Sequence, residues 1–171
     1  MGPGPSDINP RVLAALSQPV IGHLDPAFVE LMDEVKEGLR YVFQTSNNLT
    51  FPVSGPGSAG METCFTNLVE AGDKVIIARN GVFGGRMKDM ADRLGAEVVT
   101  VDDEWGYPVD VNKLEDALKS NPDAKIVGFV HAETSTGAIS DGKAIGELAK
   151  KYGCLTIADT VTSLVGSPLY S

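Results

Sequence analysis

Four short segments carry residue types that could do chemistry together. Ser54-Gly55-Pro56-Gly57-Ser58-Ala59-Gly60 is built of small residues that let backbone N–H groups approach an anion, and the helical pattern behind it favours negative charge at its start. It contains neither GxGxxG nor a Walker lysine, which disfavours a nucleoside triphosphate. The same residues also describe a plain tight turn. Asp159 ends the run Leu155-Thr156-Ile157-Ala158. A carboxylate at the end of a buried strand needs a partner, because an unpaired buried charge is costly. That partner is a cationic ring nitrogen, a metal, an arginine or, more simply, an N–H of the following loop or helix. His131-Ala132-Glu133-Thr134-Ser135-Thr136-Gly137 follows another apolar run and offers hydroxyls to a polar ligand, or closes a hydrogen-bonded turn. Phe83, among glycines in Asn80–Gly85, is either core or a stacking platform.

Positioning these segments requires strands that end where they begin. Apolar runs such as Val75-Ile76-Ile77 and Ile126-Val127 are short and continuous, the pattern of strands covered on both faces. Strands are predicted over 50–54, 74–78, 97–101, 125–131 and 155–158. Helices are predicted from Asn9-Pro10 through Leu16, from Asp25-Pro26 to about Thr45 with Phe28, Leu31, Met32, Val35, Leu39, Val42 and Phe43 as its apolar stripe, and after residue 60 on Met61, Phe65, Leu68 and Val69. Further helices carry Met87, Met90, Ala91 and Leu94 behind a loop over 79–85, then span 110–120 and 141–152. Strands alternating with helices predict an α/β fold: a mostly parallel sheet with helices on both faces and right-handed crossovers. Ligands then bind beyond the carboxyl ends of the strands, where all four segments fall. No repeat or linker interrupts the pattern.

Composition narrows the function further. The 171 residues carry a formal charge of −9, interspersed along the chain, which argues against nucleic-acid binding. No apolar run approaches the ~20 residues of a membrane span, so no membrane association is expected. Cys64 and Cys154 have no metal-ligand spacing and sit in apolar runs, so both are expected as buried thiols of a reducing compartment and no metal site is expected. Met1 leads straight into Gly-Pro-Gly-Pro, so no secretory leader is expected.

Taken in order, Gly-Pro-Gly-Pro-Ser at residues 2–6, Gly22-His23-Leu24-Asp25-Pro26, the loop over 54–62, Asn80–Gly85, His131–Gly137 and Asp159-Thr160-Val161-Thr162-Ser163 resemble the alanine–glyoxylate and serine–pyruvate (serine–glyoxylate) aminotransferases. These belong to class V of the fold-type I pyridoxal-phosphate enzymes. The resemblance covers essentially the whole chain. It implies a lead-in segment over 1–24, then over 25–171 a partial cofactor-binding large domain. It implies pyridoxal 5'-phosphate as cofactor, small amino acid and 2-oxo acid substrates, and a homodimer. Gly57 and Ser58 are implied to give backbone N–H groups to the phosphate. Where the family often has serine or threonine, this chain has Pro56, with neither hydroxyl nor N–H. Phe83 takes the place of the ring stacked on the pyridine, often tryptophan in relatives. Val161 closes the opposite ring face, Thr134 lies near the phenolic oxygen, and Asp159 pairs with the pyridine nitrogen and holds a proton there.

The resemblance also places the Schiff-base lysine and the substrate-carboxylate arginine past Ser171. None of the nine lysines stands at the family's position, which implies that these 171 residues alone are inactive. The alternatives are a non-catalytic truncated fragment that associates with other copies, another class V enzyme such as a lyase or desulfurase, or a nucleotide binder of Rossmann type, against which the missing GxGxxG counts. A cytoplasmic location is expected, or a peroxisomal or mitochondrial one in a eukaryote.

Overall fold

The computed structural model describes residues 4–168. The first half of the Gly-Pro-Gly-Pro lead-in and the terminal Leu169-Tyr170-Ser171 lie outside the described residues. The chain divides into two compact units.

The first unit comprises the described residues up to Tyr41 together with Ser46–Pro52. Asn9 caps helix α1 (Pro10–Leu16) by accepting the Arg11 N–H at 2.9 Å, with proline at the first helical position. Asp25 does the same for α2 (Pro26–Phe43), accepting the Ala27 N–H at 2.9 Å. Both starts are the expected N-cap-then-proline signal. The predicted stripe of α2 runs along one side, yet no residue of α1 or α2 is buried. Arg40 ties the end of α2 to the following loop through the carbonyls of Asn47 and Asn48.

The second unit comprises Val42–Thr45 and the described residues from Val53 onward. Four parallel strands form its sheet: β1 (Lys74–Arg79), β2 (Glu97–Asp102), β3 (Ile126–Val130) and β4 (Leu155–Asp159), in the order β2-β1-β3-β4. The register pairs Ile76 with Val99 on one side and with Val127 on the other, and Val127 with Thr156. Successive strand residues alternate between two cores, as the two-residue period of a strand requires. Ile76, Ala78, Val127 and Phe129 pack with Leu114 and Leu118 of α5 (Val111–Ser120) and Ile145 and Ala149 of α6 (Gly142–Lys151). Val75, Ile77, Ile126 and Val130 pack with Met61 and Phe65 of α3 (Gly57–Leu68) and Met87 and Ala91 of α4 (Val82–Arg93). Fully buried side chains of this kind each contribute about 1.5–3 kcal/mol, so the sheet is clamped between two helical layers as expected.

Three expectations are corrected. Residues 50–54 form no strand: Pro52 lacks the ladder N–H, and Phe51 and Val53 are exposed. The stretches 54–60 and 79–85 are not wholly loop, because α3 begins at Gly57 and α4 at Val82. Cys154 is buried, its thiol donating to the Ala124 carbonyl at 3.2 Å, but Cys64 is exposed on α3.

The α5–α6 face carries a pH-sensitive contact. Lys151 at 2.7 Å and Lys119 at 3.2 Å donate to the Glu115 carboxylate, and hold its pKa at about 2 against an ordinary 4.5. A carboxyl depressed in the folded state binds fewer protons there than in the unfolded chain. Its stabilisation is therefore full above the ordinary value and is lost as pH falls through the folded value. Denaturation midpoints followed across that window should fall with pH in the wild type. Glu115→Gln should flatten the slope.

Candidate active site

The chain leaves β1 for β2 on one side of the sheet, then returns across β1 to β3 and β4 on the other. The loops after β1 and β3 therefore part company at their carboxyl ends, the switch point where open α/β sheets bind ligands. The four segments singled out by residue type all lie at this end of the sheet.

Glu133 organises the crevice. It is fully buried, and its carboxylate accepts the N–H of Phe83 at 3.1 Å, of Gly84 at 3.3 Å and of Ser135 at 3.2 Å, plus the Ser135 hydroxyl at 2.8 Å. Ser135 Oγ in turn accepts the Val82 N–H at 3.0 Å. Helix α4 starts at Gly81-Val82 with no capping side chain of its own, so a carboxylate 50 residues downstream takes over its first-turn donors and meets its dipole. Gly81 makes this fit possible: a Cβ there would lie 2.3 Å from Glu133 Cγ.

Helix α3 differs. The five other helices have a capping side chain: Asn9, Asp25, Glu133, Asp110 and Asp141. Pro56 gives α3 none. Among the described residues no acceptor meets the N–H of Gly57 or Ser58, while those of Ala59 and Gly60 turn back to the Pro56 carbonyl. Open N–H groups at a helix start form an anion site. Val161 closes one side, for a Cβ on Gly57 would come within 3.1 Å of Val161 Cγ2.

Asp159 is half-buried at the end of β4. Its Oδ1 accepts the Val161 N–H at 3.0 Å, and among the described residues no cation pairs with it. The loop-contact reading is thus met for one oxygen only. Thr134 and Thr162 share a hydrogen bond between their hydroxyls. One proton serves that bond, so the other hydroxyl proton is left to donate elsewhere. His131 Nδ1 and Ser163 Oγ, both buried, lie 2.8 Å apart, and the His131 N–H continues the β3–β4 ladder to the Asp159 carbonyl at 2.9 Å.

The contacts close a ring. Phe83 meets Arg86, and Arg86 meets Ser58. Ser58 adjoins Gly57, which abuts Val161, and Val161 bonds Asp159. Thr162 bonds Thr134, and Glu133 returns the ring to Phe83. All six residues expected from the sequence, Gly57, Ser58, Phe83, Thr134, Asp159 and Val161, stand on it.

The family description "Aminotransferase class-V" matches residues 9–171. The chain belongs to the class V aminotransferases. Enzymes of this family depend on pyridoxal phosphate. The chain is 44% identical over 168 residues to an alanine–glyoxylate aminotransferase of Drosophila melanogaster, covering 98% of this chain and 42% of that protein. It is 41% identical to the (S)-ureidoglycine–glyoxylate transaminase of Bacillus subtilis, over 97% of this chain and 40% of that one. The solved alanine–glyoxylate aminotransferase of a Nostoc species superposes with a TM-score of 0.95 at 49% identity, over 98% of this chain and 44% of that chain. The chain therefore spans about two fifths of the length of the curated relatives it matches.

The class V cofactor can be tested against the residues present. It is a pyridine with a phosphate and a phenolic oxygen. The ring of contacts offers an open helix start, a half-buried aromatic ring, a hydroxyl pair and a carboxylate lacking a cation, and so fits that donor and acceptor pattern. Two contributors escaped sequence reasoning. The sequence shows Glu133 in a hydroxyl-bearing loop but not its capping role; the absence of a capping side chain before Val82 is the available signal. Arg86 lies three residues after Phe83, a same-face spacing that becomes visible once the helix starts at Val82.

Proposed function

We propose that this chain carries the cofactor-binding part of an aminotransferase that moves the amino group of alanine or serine to glyoxylate or pyruvate. The carrying observation is the Asp159 carboxylate, half-buried on the contact ring and holding one backbone N–H but, among the described residues, no cation. In this reading the Gly57 and Ser58 N–H groups bind the phosphate, Phe83 and Val161 take the two ring faces, and the Thr134 hydroxyl meets the phenolic oxygen. Asp159 holds a proton on the pyridine nitrogen by favouring its charged form. Bound pyridoxal phosphate supplies the electron sink that lets an amino acid lose its Cα proton. The names of the relatives support glyoxylate as acceptor.

The reactive amine comes from outside these residues. Of the nine lysines, all but Lys150 pair with carboxylates: Lys36 with Asp33, Lys74 with Asp123, Lys88 with Asp92, Lys113 with Asp103, Lys119 and Lys151 with Glu115, Lys125 with Asp73, and Lys143 with Glu147. The chain alone then binds cofactor without catalysing transfer, and the complete enzyme works as a homodimer. Calorimetric titration tests this: pyridoxal 5'-phosphate should bind more tightly than pyridoxal, and alanine plus glyoxylate should give no glycine with this chain. Equal affinity for the two ligands would remove the phosphate cradle. Glycine formation would remove the assignment of the amine.

A further inference from the structure

Arg86 holds a position that the fold alone does not reward. It lies in the second turn of α4, and its Nη1 sits 2.7 Å from Ser58 Oγ in the first turn of α3. The start of α3, which has no capping side chain, carries positive potential, where cations are disfavoured. Arg79, Arg93 and Arg40 each pair with a carboxylate, but among the described residues Arg86 has none. Its guanidinium instead lies over the Phe83 ring, 4.7 Å from the centroid. A positive charge beside that open helix start, with no carboxylate partner among the described residues, is stabilised when an anion arrives.

The bond to Ser58 has a direction. A guanidinium only donates, so the Ser58 oxygen accepts from Arg86 and must aim its own proton elsewhere. A hydroxyl that accepts from a cation becomes a stronger donor, because linked hydrogen bonds polarise one another. The same guanidinium stacks on Phe83 and fixes that ring relative to α3.

We infer that Arg86 is a positioning residue for the cofactor phosphate: it turns the Ser58 hydroxyl into a donor toward the anion at the start of α3 and links that cradle to the stacking ring Phe83. The inference rests on reading the first turn of α3 as the phosphate cradle.

Affinities of the chain for pyridoxal 5'-phosphate and for pyridoxal separate the two. Arg86→Ala should weaken the phosphorylated ligand about fivefold to tenfold, a charge-assisted bond tempered by exposure. Pyridoxal should change by less than about twofold, and Arg86→Ala should add little loss in a Ser58→Ala background, because residues acting through one another are not additive. Arg86→Lys keeps the charge but not the planar donor, and should recover only part of the affinity. Arg86 is exposed, so each variant should keep the wild-type circular dichroism spectrum, which is to be recorded beside the affinities. Equal losses for both ligands, or a full additional loss in the Ser58→Ala background, would overturn the role of Arg86 while leaving the cradle intact. A wild-type chain with no preference for the phosphorylated ligand would overturn the cradle and this inference with it.

Discussion

Glu133→Ala is expected to lower folding stability by about 3–5 kcal/mol, because it strands several donors at once and leaves a cavity. The N–H groups of Phe83, Gly84 and Ser135 and the Ser135 hydroxyl all bond this one fully buried carboxylate. Each buried donor left unmet costs about 1–3 kcal/mol, and the charge also balances the dipole of α4. Glu133→Gln keeps an acceptor of the same shape but turns two acceptors into one and removes the charge, so it should cost less, about 1–2 kcal/mol. Urea denaturation of the three proteins gives the order: wild type, then Gln, then Ala. An alanine variant within about 1 kcal/mol of wild type would mean that water serves these donors, and that Glu133 does not fix the start of α4. The backbone held by Glu133 is that of Phe83 itself, so the glutamine variant should also loosen ligand stacking while the protein remains folded.

Much of the sheet was legible because its signal is local. Val75-Ile76-Ile77 and Ile126-Val127 are apolar without a break, and they became strands covered on both faces. Asp25-Pro26 and Asp110 announced helices that form where expected. The failures have physical causes of longer range. Thr50–Ser54 has strand-like residues but gains no pairing partner, and Pro52 cannot donate to one. The start of α4 was hidden because its cap comes from Glu133, far along the chain, and glycines at 84 and 85 read as loop. Gly84 is needed there for close approach, since a Cβ would stand 3.1 Å from Arg79 Cα. Residue types placed Asp159, Thr134 and Gly57 at strand and helix ends. Only the fold could show that Thr134 meets Thr162, or that Gly57 meets Val161.

Asp159→Asn tests the central charge of the proposed site most directly. The change is nearly isosteric, and an asparagine oxygen can still accept the Val161 N–H that now bonds Oδ1 at 3.0 Å. The loop after β4 should therefore keep its shape, and stability should change little for a half-buried carboxylate with no ion pair among the described residues. What disappears is the negative charge beside the pyridine nitrogen. An opposite charge within a few ångströms shifts a pKa by about 1–3 units toward the charged form. The ring nitrogen of bound pyridoxal phosphate should accordingly lose its proton at a pH about 1–3 units lower in Asp159→Asn than in wild type, read from the nitrogen chemical shift of labelled cofactor. In protein that includes the reactive lysine, transamination should fall about 10²–10⁴-fold, the usual weight of a positioned proton in a rate, with ligand affinity falling far less because the phosphate and ring-face contacts remain. Asp159→Glu keeps the charge but displaces it by one methylene, so its ring titration should lie between the two. If the nitrogen titrates identically in all three proteins, the carboxylate does not face the ring, and the lone N–H bond to Val161 is the whole of its role.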